Sequence, residues 1–106
     1  MTLTELIRFF RNNGSKDKFF EIHSLDIESE VIEIYMQKPF NIENDIKFFE
    51  IEKTEGAQEF EIENIKHYNL TDFYYFLDFI EESKERNKLT DLELAKILLD
   101  YALNDA

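Results

Sequence analysis

The hydrophobic period of this chain changes twice along its length, and those changes constrain the fold more than any single residue does. From Thr2 to Phe10 apolar residues recur at helical spacing, as Leu3, Leu6, Ile7 and Phe10. From Phe19 to Tyr68 the spacing shortens toward two, in "FFEIHSLDI", "SEVIEIYMQ", "IKFFEIEK" and "EFEIENIKHY". Beyond Asn69 it lengthens again, with Phe73, Phe76, Leu77 and Ile80 on one helical face and Leu94, Ile97, Leu98 and Tyr101 on another. A helix buries one stripe and a half-solvated strand buries alternate residues. The pattern therefore predicts one helix, four strands and two helices.

Local signals mark the joints. Thr2 and Glu5 are spaced as a capping box, "RNNG" ends the first helix with Gly14 suited to the left-handed position, and "SKDK" reads as a polar turn. The polar "DIES" suits a hairpin connection, and Pro39 interrupts after the second strand. In that strand Ile32, Ile34 and Met36 share one face, and Val31, Glu33 and Tyr35 the other. The doubled Phe48 and Phe49 indicates a bulge or a strand covered on both faces. Gly56 stands at hairpin spacing between the third and fourth strands, Asn69 or Thr71 can cap the next helix, and Thr90 with Glu93 forms a second capping box. The expectation is a single α+β domain over residues 1–106: a four-stranded antiparallel meander with one N-terminal and two C-terminal helices.

At 106 residues the chain can withdraw about two-thirds of its unfolded surface from water. Eleven Phe and five Tyr within a 43% hydrophobic composition make it too apolar for a disordered acidic tail. Twenty-four acids against twelve Lys and Arg leave a charge of -12, which repels nucleic acid and anionic membranes and attracts cationic partners. The absence of cysteine excludes disulfides, Cys-ligated zinc and a thiol nucleophile. With no secretory leader pattern and no apolar run near the roughly 18 residues of a membrane span, a cytoplasmic location is expected.

The chain carries few residues arranged for catalysis. His23 and His67 are not at metal-ligand spacing, no serine sits in a G-x-S-x-G elbow, and two glycines cannot build a phosphate-cradling loop. Asn41, Glu43, Asp45 and Glu52 fall in an EF-hand frame, but Ile46 occupies the position where its sharp turn needs glycine. No enzymatic activity, cofactor or metal is expected.

The acids are concentrated. Between Glu43 and Glu63 there are eight against two lysines, a local balance of -6, whereas Arg8, Arg11, Lys16 and Lys18 make the N-terminal segment more basic. If Phe60 and Ile62 face the helices, Glu59, Glu61 and Glu63 point to the opposite side at about 6.7 Å intervals. Glu50 and Glu52 would join them from the paired strand if Phe49 and Ile51 point inward. In "QEFEIENI" the alternation holds for Phe60 and Ile62, and Ile65 falls one step late. Like charges opposed across a ladder destabilise it, which points to a cationic partner. The helix from Phe73 carries Tyr74 and Tyr75 beside its core stripe, flanked by Asp72 and Asp78. Aromatics all round a helix mean burial on two sides or an exposed interface.

In size, charge and composition the whole chain resembles the immunity proteins of bacterial contact-dependent growth inhibition and related polymorphic toxin systems. That resemblance implies an inhibitor of a basic partner, a cognate nuclease toxin domain, and carries over no individual residue. The candidate partner-binding set is Glu50, Glu52, Glu59, Glu61, Glu63, Asp72, Tyr74, Tyr75 and Asp78. Alternatives from the same composition are a phage DNA mimic that blocks a restriction or CRISPR effector, and an acidic structural subunit. A strand row of carboxylates is sparser than duplex phosphates, one per 3.4 Å of each strand, which disfavours mimicry.

Overall fold

The computed structural model describes residues 1–26, 28–29, 31–85 and 88–104. Its elements are α1 (Leu3–Arg11), α2 (Lys16–Ile22), β1 (Ile32–Gln37), β2 (Ile46–Glu50), α3 (Ile51–Thr54), β3 (Glu59–Ile62), β4 (Ile65–Asp72), α4 (Phe73–Ser83) and α5 (Asp91–Asn104). The class is α+β, with a four-stranded antiparallel sheet. The strands are ordered β2-β1-β4-β3, so β1 and β4 are central and the sequential order of a meander is not followed.

The α1 capping box forms as expected: the Glu5 N–H donates to the Thr2 hydroxyl at 3.3 Å, and the Thr2 N–H donates to the Glu5 carboxylate at 2.9 Å. At the other end Asn13, not Gly14, takes the left-handed conformation, with φ 64°. Gly14 is required by space, since a Cβ there would come within 2.3 Å of the Phe9 ring.

The segment expected to be the first strand is a helix. Ser15 caps α2, its hydroxyl accepting from the Lys18 N–H at 3.3 Å, so "SKDK" is a helix start and not a turn. The β preference of Phe and Ile is a weak signal against tertiary packing. Here Phe19 and Phe20 are both buried at a junction of elements. Phe19 stacks on Phe73 at 5.4 Å and meets the edge of Phe48 at 5.1 Å. Phe10 and Phe76 join the same cluster. The expected "DIES" hairpin is accordingly lost, and its Ile27 lies outside the described residues.

From Ile32 to Met36 every residue of β1 is buried. Ile32, Ile34 and Met36 pack with α1, α2, α4 and α5 in the main core, together with Ile46 and Leu70. Leu70 stands at a bulge, where the register of β4 against β1 shifts between Ile34 and Tyr35. Glu33 and Tyr35 occupy the other face, under the segment that carries α3. The Thr54 hydroxyl donates to Glu33 at 3.0 Å, and the Tyr35 hydroxyl donates to the Ala57 carbonyl.

The expected third strand stops at Glu50, and the expected fourth is two strands. Glu63 and Asn64, at φ 50° and 68°, form a two-residue turn between β3 and β4, with Ile62 paired to Ile65. Two consecutive left-handed residues are the signature of a type I′ hairpin. The late Ile65 in the alternation is the trace of that turn. Strand β4 continues to Asp72, so the cap of α4 is Asp72 itself, accepting from the Tyr75 N–H at 2.7 Å, and not Asn69 or Thr71. The Thr90–Glu93 box forms at 3.0 and 3.1 Å. Along α5 the buried residues are Leu94, Ala95, Leu98 and Leu99, which leaves Tyr101 exposed instead of on the core stripe. Arg8 and Arg11 of α1 hold Asp91 at 3.3 and 2.9 Å. Among the described residues no helix is long and apolar enough to cross a membrane.

Candidate functional site

Glu59 and Glu61 are exposed on β3, an edge strand. Their orientation is the reverse of the one expected. Phe60 is paired with His67 and its ring lies 5.4 Å from Phe49, on the face of Tyr35 and α3. Glu59 and Glu61 therefore lie on the side of Ile34 and Met36. Across the ladder Glu59 faces Tyr68 and Glu61 faces Lys66, and the Lys66 ammonium stands 3.6 Å from the Glu59 carboxylate. No acid opposes an acid in this hairpin, so the repulsion expected there is absent; the acids that do face each other across a ladder are Glu33 of β1 and Asp72 of β4. Glu63 leaves the row because it is in the turn.

Glu50 and Glu52 do not join that surface. Strand β2 is at the opposite edge of the sheet, and the chain turns into α3 after Glu50. The Glu50 side chain is only 12% exposed; it pairs with Lys53 at 3.0 Å and accepts from the Asp26 N–H at 3.3 Å. Glu52 accepts from the Ser29 hydroxyl at 2.6 Å. On α4, Tyr74 is half-buried with the Lys16 ammonium 4.7 Å from its ring centre. Asp78 is exposed and lines a separate recess beside Lys16 and Lys84.

Asp72 and Tyr75 do converge. They line a pocket of about 270 Å³ together with Glu33, Asn69, Thr71 and Tyr101. It exists because β3 has four residues against eight in β4: pairing ends at Glu59 with Tyr68, and the space beyond is bounded by α4 and α5. Gln58, next to Glu59, lies at its margin and accepts from the Asn69 N–H at 2.8 Å, so the acidic hairpin and the pocket are contiguous.

Glu33 is only 7% exposed. One carboxylate oxygen accepts from Thr54 and the other from the Asn69 amide, both neutral donors. Among the described residues no Lys or Arg forms an ion pair with Glu33 or Asp72. A buried carboxylate without a cation is costly, and the two hydrogen bonds offset only part of that cost. Burial raises the neighbouring Tyr35 phenol above its ordinary value, and the Glu33 carboxylate adds to the shift. Tyr75 and Tyr101 are 48% and 53% exposed at the pocket. The sequence placed Tyr101 in a core stripe and Glu33 only on a strand's second face. A lone acid inside "VIEIYM" was the available signal.

The two histidines are structural neighbours of aromatic and backbone groups. His23 lies 4.3 Å from the Phe19 ring, and burial lowers its pKa. His67 is buried, with Nδ1 3.1 Å from the Ile65 carbonyl. Among the described residues no group of three or more acids and histidines could hold a metal ion. No protein-family model matches the chain, and neither does any curated protein sequence or solved structure.

Proposed function

We propose that this chain is a non-catalytic inhibitor of the immunity type, acting in the cytoplasm on a basic bacterial toxin of the nuclease class. One observation carries the reading: the exposed acids of the β3–β4 hairpin adjoin a pocket whose two carboxylates, Glu33 and Asp72, have no ion-pair partner among the described residues. A nuclease holds polyphosphate with Lys and Arg at its cleft. Carboxylates on a complementary surface can take those phosphate positions, and a charge of -12 steers the encounter through space. Mimicry of duplex DNA is the weaker reading, because Lys66 interrupts the negative row beside Glu59.

The test is co-purification with basic nuclease toxin domains, beginning with any encoded beside this gene, followed by an assay of the captured domain's nuclease activity. The wild-type chain should bind and suppress cleavage, and Glu59→Gln combined with Glu61→Gln should weaken both. Equal protection by the double variant would remove the acidic hairpin from the mechanism.

A further inference from the structure

We infer that the pocket between β4, α4 and α5 receives one arginine side chain of the protein partner. This rests on the reading of the chain as a binder of a basic protein and assigns the anchor of that contact. Its volume, about 270 Å³, falls below the roughly 300–1,000 Å³ of sites for small organic ligands and suits a side chain.

The chemistry of the lining selects a cation. Glu33 is a 93% buried carboxylate, by its 7% exposure, held by Thr54 and Asn69 alone. An ionised carboxylate accepts about four hydrogen bonds, so two neutral donors leave accepting capacity on both oxygens. Asp72 uses Oδ1 to cap α4, and its Oδ2 accepts no hydrogen bond among the described residues. An entering cation would supply the countercharge that Glu33 lacks.

Arginine fits this lining better than lysine. Its planar guanidinium presents five donors in a fixed fork, able to reach two carboxylates at once, whereas an ammonium is a compact point charge. Tyr75 and Tyr101 flank the opening with exposed rings, and aromatic faces attract a guanidinium. Tyrosine walls around an acidic floor are also the composition of an interface centre that buries an arginine.

The probe is N-acetylarginine amide, titrated into the isotopically labelled full chain, with N-acetylcitrulline amide as the neutral isostere. The arginine compound should shift the ring signals of Tyr75 and Tyr101 and the Asn69 side-chain amide in a saturable way, and the citrulline compound should not. Asp72→Asn keeps a capping side chain and removes the charge, so the fold persists while affinity falls about tenfold. Tyr101→Ala truncates an exposed ring and should weaken binding several-fold. Equal binding of citrulline, or binding indifferent to Asp72→Asn and Tyr101→Ala, would overturn the assignment. The two readings separate cleanly. Arginine binding without capture of the basic toxin upholds the pocket and defeats the inhibitor reading. Toxin binding that tolerates both pocket variants upholds the inhibitor reading and defeats the pocket.

Discussion

The rings of Phe49 and Phe60 lie 5.4 Å apart at an interplanar angle of 54°, although their strands are the two outer edges of the sheet. In a flat sheet three strand spacings would separate those edges by about 14 Å. The sheet therefore curls toward the face that bears Glu33 and Tyr35, and the α3 segment crosses the hollow. Glu33 is buried by that curl and by the α3 segment, on the face away from the main core.

Removing a donor from Glu33 tests this arrangement. Thr54→Val keeps the shape and deletes the hydroxyl that donates to Glu33 at 3.0 Å. A buried acceptor stripped of a partner costs about 1–3 kcal/mol. Urea denaturation should show that loss, and an unchanged midpoint would mean that water replaces the hydroxyl and the hollow is open.

Phe73 is the hub of the main core. It is fully buried and its ring contacts Phe10, Phe19, Phe20, Phe48 and Phe76. Phe73→Ala should cost about 3–5 kcal/mol in the same experiment. A loss below 1 kcal/mol, on the order of an exposed-site change, would contradict the packing.

The turn at Glu63 and Asn64 can be improved. Both residues have positive φ, a conformation that disfavours glutamate and suits Asn-Gly. Glu63→Asn with Asn64→Gly should raise stability by about 0.5–1 kcal/mol, read as a higher melting temperature. Destabilisation would indicate a different turn.

His23 makes stability depend on pH. Burial against Phe19 and Phe48 lowers its pKa from the ordinary 6.5, so the folded state favours the neutral ring. The unfolded chain then binds the proton more readily. The contribution is present above pH 6.5 and is lost as pH falls through the lowered folded value. His23→Phe keeps the aromatic contact and should flatten the stability profile just below that pH, above the carboxylate range.

The sequence displayed its local devices and hid its long-range ones. The boxes at Thr2–Glu5 and Thr90–Glu93 involve residues three apart, and both form. The α2 helix was obscured because "FFEI" has strand-like composition and only the aromatic cluster decides for helix. Strand order was not legible, since nothing local in Phe49 or Phe60 says that the sheet curls until their rings meet. The same applies to the pocket. Asp72 and Tyr75 stand out in the sequence at the start of a helix, but Glu33 and Tyr101 reach them only through the β1–β4 pairing and the packing of α5.

The proposed role of the acidic hairpin is to steer and hold a basic protein. The most direct measurement is the association rate of the purified chain with a basic toxin domain that it captures, across ionic strength, for wild type and for Glu59→Gln with Glu61→Gln. Steering predicts a rate that falls as salt rises and a double variant that is slower with a shallower salt dependence. A rate indifferent to salt and identical in the two proteins would rule out electrostatic steering by the hairpin.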